Sequence, residues 1–266
     1  MTDSAMIQTT QNSLTFFRFS HLARYPGVLH GIFARTGGVS GPPFDTLNMS
    51  TSVGDTPEAV QKNRRAVAAC FGNRPLFFLN QVHKTGVHVV DAAAPAAKQP
   101  DGDALVTATP GLLLGIKLAD CQAVLLYDPV KNVAANIHSG WRGSVADIID
   151  ITIKTLTQRF GVNPADMLAG IGPSLGPCCA EFVNYKKELP PHFWKYKDEK
   201  NRFDFWQISR HQLMAAGVPE AHIEIAGLCT RCRTDLFFSY RGEGKTGRFA
   251  AVIGMTGPVD ASPNIS

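Results

Sequence analysis

Two histidines and one cysteine, each beside a short apolar run, are the residues of this chain best suited to chemistry. They are His83 in "NQVH", Cys121 in "LADCQAVLLYD" and His138 in "ANIHSGWRG". Small, polar or turn-forming residues adjoin each of them, as expected where a strand ends at a cleft. Two imidazoles and one thiolate form a three-ligand metal set with one open position, which is typical of catalytic rather than structural zinc.

Each of these residues also has a simpler interpretation. A single histidine beside an apolar run is usually hydrogen-bonded in the core or at the surface, and a buried cysteine usually acts as a small apolar side chain. The surrounding residues favour a site. Asp120 precedes Cys121 between two strand-like runs, and the glycines of "SGWRG" allow close approach of the backbone. Arg142 in the same motif is a candidate donor of hydrogen bonds to an anion.

A second arginine lies on a face that is predicted to be buried. The sequence predicts a helix over residues 57–71, with Thr56 as its cap and Pro57 at its first position. Arg64 falls on the apolar row of this helix. Because a buried arginine is unfavourable unless it is paired with an anion, two interpretations follow, a structural salt bridge or phosphate binding.

The elements that must position these residues are mostly strands. Further helices are predicted over 145–160, starting at Ser144 and Asp147, and over 205–216. Strands outnumber helices and do not alternate strictly with them, which favours an α+β fold of mixed sheets packed together and flanked by helices. We expect a single domain over residues 1–266. Strand-like runs cover 14–19, 28–34, 76–79, 87–90, 112–118, 123–127, 133–137, 223–226, 236–240 and 249–255.

Two connections are also predicted from composition. The runs 236–240 and 249–255 should form a hairpin around "RGEGKTG", and residues 91–103, rich in alanine and proline, should form a surface loop.

The bulk composition excludes several classes of protein. Apolar residues make up 44% and charged residues 18% of the 266 positions, as in ordinary globular proteins. The net charge of +4 comes from scattered basic residues, so nucleic acid is not an expected partner. The first residues lack the features of a signal peptide, and no apolar run approaches the ~18 residues that span a bilayer. We therefore expect a cytoplasmic protein without a membrane partner.

The six cysteines are too few for a disulfide scaffold of this length. The motif "CTRC", from Cys229 to Cys232, has zinc-ligand spacing, and Cys178 and Cys179 could in principle complete a second site. One such motif is weak support by itself, because a structural zinc needs four ligands. We interpret these four residues as loop or core thiols near the predicted hairpin.

Several motifs together resemble one family. "NQVH", "ADC", "HSGWRG", "GPSLGPCC" and "FFSYRGEGKTGR" occur in this order and resemble the YfiH-type laccase-domain family, also called the polyphenol oxidase or purine nucleoside phosphorylase family. The resemblance runs nearly end to end and implies a YfiH-like fold. It also implies one zinc bound by His83, Cys121 and His138. Two departures, "HSGWRG" for the usual "HAGWRG" and "LADC" for "TADC", remove no ligand.

The resemblance also assigns a substrate cleft. The loop "RTGGVSGPPFDTLNMS" would otherwise be interpreted as a surface turn, but it has Arg35 and Asn48 at its two ends, as the family does. Both are then expected in the cleft. The match of "NRR" to the family's usual "ENR" favours the cleft for Arg64 as well.

The function implied by the resemblance is a zinc-dependent purine nucleoside enzyme. It would phosphorolyse adenosine, inosine, guanosine and methylthioadenosine with phosphate, and deaminate adenosine. One alternative is a cysteine hydrolase that edits peptidoglycan precursors, with Cys121 as nucleophile and His83 or His138 as base. The other is a copper-dependent polyphenol oxidase, because two histidines and a cysteine also suit copper. Eight histidines without any His-x-His pair are few for a multicopper cluster.

Overall fold

Two six-stranded sheets form the framework of the protein. A computed structural model describes residues 6–91 and 99–256. Its strands are β1 (Met6–Gln11), β2 (Leu14–Phe19), β3 (Val28–Phe33), β4 (Leu76–Phe78), β5 (Val87–Val89), β6 (Ala104–Thr107), β7 (Leu113–Leu118), β8 (Gln122–Asp128), β9 (Val133–Ser139), β10 (Leu168–Ile171), β11 (Ile223–Ile225) and β12 (Phe249–Met255). The first sheet has the order β1-β2-β3-β12-β7-β4 and the second β11-β10-β8-β9-β6-β5. Both sheets are mixed, with parallel pairs only at edges.

Helices cover the outer faces of the sheets. They are α1 (Ser20–Ala23), α2 (Pro57–Ala69), α3 (Trp141–Val145), α4 (Ile148–Phe160), α5 (Tyr185–Glu188), α6 (Phe205–Ala215) and α7 (Tyr240–Glu243). Within residues 6–91 and 99–256, no helix combines the length and the hydropathy that crossing a membrane requires.

The largest apolar cluster lies between the two sheets. It joins side chains of the first sheet, such as Ile116 and Ile253, to side chains of the second, such as Leu125. Asn136 of β9 is fully buried and its Nδ2 donates to the carbonyls of Leu114 and Ala251, each at 2.9 Å. A buried polar side chain therefore connects the two sheets.

The structure confirms the predicted fold class and most of its elements. Two packed mixed sheets with flanking helices are present, and nine of the ten predicted strand-like runs overlap an observed strand. Thr56 caps α2 as predicted, since its side chain accepts from Ala59 N. Strands β1, β6 and β10 were not predicted. Of the predicted loop 91–103, residues 92–98 lie outside the described residues.

The predicted hairpin is wrong. Residues 236–240 form no strand, because Phe237 N and Leu236 N both donate to Arg233 O in a turn. Ser239 then caps α7 by accepting from Gly242 N. Phe237 and Phe238 are both fully buried, which an exposed hairpin arm with alternating faces would not allow.

The start of the second long helix also differs from the prediction. Asp147 adopts a left-handed conformation (φ 53°) and caps α4 by accepting from Asp150 N. This conformation interrupts the helix, so the preceding residues form the separate short helix α3 that includes Arg142.

A buried histidine in β3 makes folding sensitive to acid. The Nε2 atom of His30 accepts a hydrogen bond from Phe19 N at 2.9 Å, so the ring is neutral. Burial, followed by the charge of Arg18, lowers the pKa of His30 to about 3. The unfolded chain therefore takes up a proton below pH ~6.5 that the folded chain does not, and stability falls as the pH falls through this range.

The first prediction concerns this residue. Between pH 7.5 and 5.5, we expect His30 to lower the free energy of unfolding by about 1.4 kcal/mol. In His30→Gln, whose side-chain oxygen can still accept from Phe19 N, this share of the pH dependence should be absent. Urea unfolding of both proteins at the two pH values measures it. Identical pH dependence in both would contradict the prediction.

Candidate metal centre

The structure brings His83, Cys121 and His138 together at one end of the two sheets. His83 follows β4 in a loop with a left-handed backbone (φ 57°), Cys121 ends the turn between β7 and β8, and His138 lies near the end of β9. Their candidate ligand atoms all lie within 4.8 Å of one another. Cys121 Sγ is 3.9 Å from His83 Nε2. We call these three residues the His-Cys-His cluster.

A glycine allows this close approach. A Cβ atom on Gly140 would lie 3.1 Å from Cys121 Sγ and 3.1 Å from His83 Cδ2. Both contacts are closer than most real Cβ contacts, so a side chain at this position would press on two members of the cluster. The glycine of "HSGWRG" thus fits the close backbone approach expected from the sequence.

Asp103, which the sequence analysis did not single out, positions both histidines. It is fully buried, and its Oδ1 lies 2.8 Å from His138 Nδ1 and accepts from His83 N at 2.9 Å. Its Oδ2 accepts from Lys84 N at 2.8 Å. The contact with Nδ1 leaves Nε2 of His138 for a metal ion, as in many carboxylate–histidine–metal arrangements. The sequence analysis placed Asp103 at the end of the predicted surface loop 91–103, whereas the structure buries it just before β6.

The electrostatics of the cluster favour a thiolate. Burial alone would raise the pKa of Cys121, but the neighbouring His138 and then His83 lower it to about 6. Burial alone would lower the pKa of His138, but Cys121 and the hydrogen bond to Asp103 raise it to about 9. The thiolate is the form of cysteine that binds metals.

The donor set fits a zinc ion. One thiolate and two imidazoles are zinc ligands of ordinary type, and the buried carboxylate behind His138 supplies the usual orienting partner. The same donors also suit copper. His83 is exposed while His138 is buried, so the cluster opens to solvent on one side.

Two cavities meet at the cluster, and both are lined by His83, Cys121 and Tyr240. The first, of about 330 Å³, has an apolar wall, and we call it the aromatic cavity. The apolar wall consists of Trp141, Leu175, Ala180, Phe182 and Phe205, and the polar lining includes Asp120, Arg142 and Arg241.

The second cavity, also of about 330 Å³, is polar and positively charged, and we call it the basic cavity. Besides the cluster, its lining includes Ser50, Ser52, Asn80, Gln81, Lys117 and Arg248. Lys117 Nζ donates to Leu79 O, and burial followed by the charge of Arg64 lowers the pKa of Lys117 to about 8. Lys117 and Arg248 were not predicted as site residues. Lys117 lies in an apolar run without a motif, and Arg248 ends the motif "FFSYRGEGKTGR", which could have pointed to it.

Of the four expected substrate residues, the structure places only Arg142 in one of the two cavities at the cluster. It lies over the Trp141 ring, 4.2 Å from its centre, at the aromatic cavity. Arg35 instead pairs with Glu243 at 2.7 Å, donates to Thr234 O and lies over the Phe238 ring. It therefore joins the loop at residue 35 to the C-terminal segment.

Asn48 and Arg64 are likewise outside both cavities. Asn48 is fully buried, and its Oδ1 accepts from Arg248 N at 2.8 Å, so it positions a cavity residue. Arg64 donates twice to Met49 O and lies over the Phe78 ring. Within the described residues Arg64 forms no salt bridge, and phosphate binding by Arg64 stays a prediction. Its partners are a carbonyl and a ring, and it lines a separate depression beside α2.

Asp120 connects loops around the cluster. Its Oδ1 accepts from Thr230 and from Ser239 at 2.7 Å each, and its Oδ2 accepts from Arg241 N at 2.6 Å. Its left-handed backbone (φ 85°) turns the chain so that Cys121 reaches the cluster. Asp120 also lines the aromatic cavity, but both of its carboxylate oxygens accept hydrogen bonds from neighbouring loops, which indicates a structural role.

Comparisons with known proteins identify the family and support the fold. Residues 29–256 match the family described as multi-copper polyphenol oxidoreductase laccase. A protein of Deinococcus radiodurans named purine nucleoside phosphorylase is 37% identical, with 92% of this chain and 95% of that protein covered. Purine nucleoside phosphorylase YfiH of Escherichia coli is 34% identical over 82% and 90%. The crystal structure of YlmD from Geobacillus stearothermophilus superposes with a TM-score of 0.85 at 30% identity, covering 96% of this chain and all of that one.

Proposed function

Because the chain belongs to the family described as multi-copper polyphenol oxidoreductase laccase, we propose that it is a metal-dependent purine nucleoside phosphorylase, as its relatives are named. One observation carries the proposal. The His-Cys-His cluster lies where an aromatic cavity meets a basic cavity. Phosphorolysis brings a flat apolar base and a phosphate dianion to opposite sides of one ribose carbon, and the two cavities offer matching surroundings.

The aromatic cavity suits the base. Phe182 and Phe205 supply apolar ring surface, and Arg142 with Arg241 supplies donors for heteroatoms of the purine. The basic cavity suits phosphate, because Arg248 is permanently charged and can donate two parallel hydrogen bonds to its oxygens.

The reaction needs both reactants held in line. A phosphate oxygen attacks the anomeric carbon of the ribose, the bond from that carbon to the purine nitrogen breaks, and its electron pair leaves with the base. Zinc held by His83, Cys121 and His138 would supply positive charge that polarises a substrate atom. The chain itself holds phosphate on the basic side and the base on the aromatic side, which lowers the entropic barrier.

The proposed substrates are adenosine, inosine, guanosine and methylthioadenosine, since all present a purine joined to a ribose. Deamination of adenosine is proposed as a second reaction of the same site, because a purine in the aromatic cavity lies next to the His-Cys-His cluster. In that reaction water replaces the amino group at C6 and ammonia leaves.

Product identification tests the proposal. The purified protein is incubated with adenosine and phosphate, and in a second reaction with inosine and phosphate. Adenine or hypoxanthine with ribose 1-phosphate supports phosphorolysis, and inosine from adenosine supports deamination. Absence of all these products overturns the proposal. Amino-acid release from a peptidoglycan precursor by metal-free protein would favour the cysteine hydrolase. Copper-dependent oxygen uptake with a phenol would favour the polyphenol oxidase.

Arg248 gives a prediction specific to the basic cavity. Arg248→Met keeps most of the aliphatic stem but removes the charged donors. We expect the KM for phosphate to rise about 10- to 100-fold, because a hydrogen bond to a charged group contributes about 1.5–3 kcal/mol. Steady-state kinetics at saturating inosine measures the change. The control is Arg210→Met, which removes an arginine that pairs with Glu220 outside both cavities. A rise in the KM for inosine alone would contradict the assignment.

A further inference from the structure

Four cysteines outside the His-Cys-His cluster converge on one point. Cys178 and Cys179 lie in the loop after β10, and Cys229 and Cys232 lie in the loop after β11. Their four Sγ atoms all lie within 4.8 Å of one another. The four residues lie in loops, as interpreted from the sequence, and they converge on one point, so we call them the four-cysteine cluster.

The spacing of the sulfurs fits one metal ion between them. Cys232 Sγ lies 3.6 Å from Cys178 Sγ and 3.5 Å from Cys179 Sγ. A disulfide requires about 2.05 Å. Four sulfurs at about 2.3 Å from one zinc ion, at the corners of a tetrahedron, lie about 3.8 Å from one another. An iron–sulfur cluster puts several irons and sulfides between the thiolates, which sets them farther apart than one ion does.

The two loops hold the sulfurs in place without the ion. Ser174 N donates to Leu228 O at 3.2 Å, and Thr230 N donates to Ser174 O at 3.0 Å, so the loops pair like short strands. Gly176 N donates to Cys229 Sγ at 3.3 Å. A backbone N–H that points at a sulfur stabilises its thiolate form, the form that binds metal.

One arginine lies beside the cluster. Four thiolates around a divalent cation carry a net charge of −2, which needs neighbouring donors or cations. Arg202 donates from Nη1 to the carbonyl of Cys178 at 3.2 Å, and its guanidinium also pairs with Asp198. Arg202 thus supplies a cation beside the cluster, and Gly176 N donates to one of the sulfurs.

We propose that Cys178, Cys179, Cys229 and Cys232 bind one structural zinc ion. Four protein ligands leave no open position, in contrast to the His-Cys-His cluster. The site has a direct relation to the aromatic cavity, because the first loop continues from the two cysteines into Ala180 and Phe182 of its wall. The ion would fasten that wall to the loop after β11.

Metal analysis of cysteine variants tests the proposal. Zinc per chain is measured in protein purified without chelator, comparing Cys232→Ser with Cys70→Ser, which alters a thiol outside both clusters. We expect Cys232→Ser to contain one zinc ion fewer per chain. Because the result is a difference between two proteins that both keep Cys121, it does not depend on the metal of the His-Cys-His cluster or on the proposed function. Equal zinc in both variants overturns the proposal, and loss of iron instead of zinc overturns the choice of metal.

Alkylation of the unaltered protein provides a second test that needs no folded variant. Cys232 is exposed, so iodoacetamide would reach it if it were a free thiol. We expect Cys232 to be protected in the native protein and to react after a strong chelator is added. Rapid alkylation without chelator overturns the proposal. Protection that only a reducing agent removes would show disulfides and overturn it equally.

Discussion

Cys121→Ala is expected to release the metal ion of the His-Cys-His cluster and to lower kcat for phosphorolysis by about 1,000-fold or more. The thiolate is the only anionic ligand of the cluster, and its loss leaves two imidazoles, of which His83 is exposed. A metal ion contributes several kcal/mol of charge stabilisation, and each 1.36 kcal/mol corresponds to about tenfold in rate. Inosine turnover and metal content, measured on the same preparation, check the result.

The matched control for Cys121→Ala is Cys70→Ala. Cys70 is also a thiol without a disulfide, and it is buried at the end of α2. This variant should lose some stability but keep its metal and its turnover. Two outcomes would contradict the prediction for Cys121. One is unchanged phosphorolysis by Cys121→Ala. The other is full activity of metal-free parent protein that only the cysteine substitution abolishes, as expected of a cysteine nucleophile.

The residues of the His-Cys-His cluster were predictable because their local sequence says where strands end. His138 precedes "SGWRG", and Cys121 follows Asp120 between two apolar runs. Both patterns depend on neighbours in sequence, as do the strands of the core and the cap of α2. Sheet order was not predictable in the same way, because strands such as β3 and β12 pair across more than two hundred residues.

The substrate residues were harder to predict from the sequence, because the sequence around a polar side chain in a loop does not identify its partner. Arg35 pairs with Glu243, and Asn48 accepts a hydrogen bond from Arg248 N, each about two hundred residues away in sequence. Lys117 sits in β7 among apolar residues, where nothing local distinguishes a cavity lysine from a strand-end lysine. The four-cysteine cluster joins residues more than fifty positions apart, so the sequence offered Cys178 and Cys179 only as possible partners of "CTRC".

Asp103→Asn is expected to weaken metal binding about 10- to 100-fold, although Asp103 is not a ligand. This is the usual effect of removing the carboxylate behind a metal-binding histidine. The carboxylate contacts His138 Nδ1 and accepts from the backbones of His83 and Lys84. An amide at this position has one acceptor oxygen, and its NH2 group would face a backbone donor. If the amide oxygen replaces Oδ1, Lys84 N loses its acceptor, and if it replaces Oδ2, the amide NH2 faces His138 Nδ1 and His83 N.

Two measurements separate the effect of Asp103 on the orientation of His138 from its effect on the stability of the fold. Metal affinity is determined by competition with a chromogenic chelator, and the free energy of unfolding is determined for the metal-free proteins. Asp103→Asn should lower unfolding free energy by about 1–3 kcal/mol, because buried donors lose acceptors. Asp101→Asn is the control, since Asp101 is exposed and its side chain accepts from Asn80. If Asp103→Asn loses stability but binds metal as tightly as the parent protein, Asp103 supports only the fold, and the orientation of His138 does not depend on it.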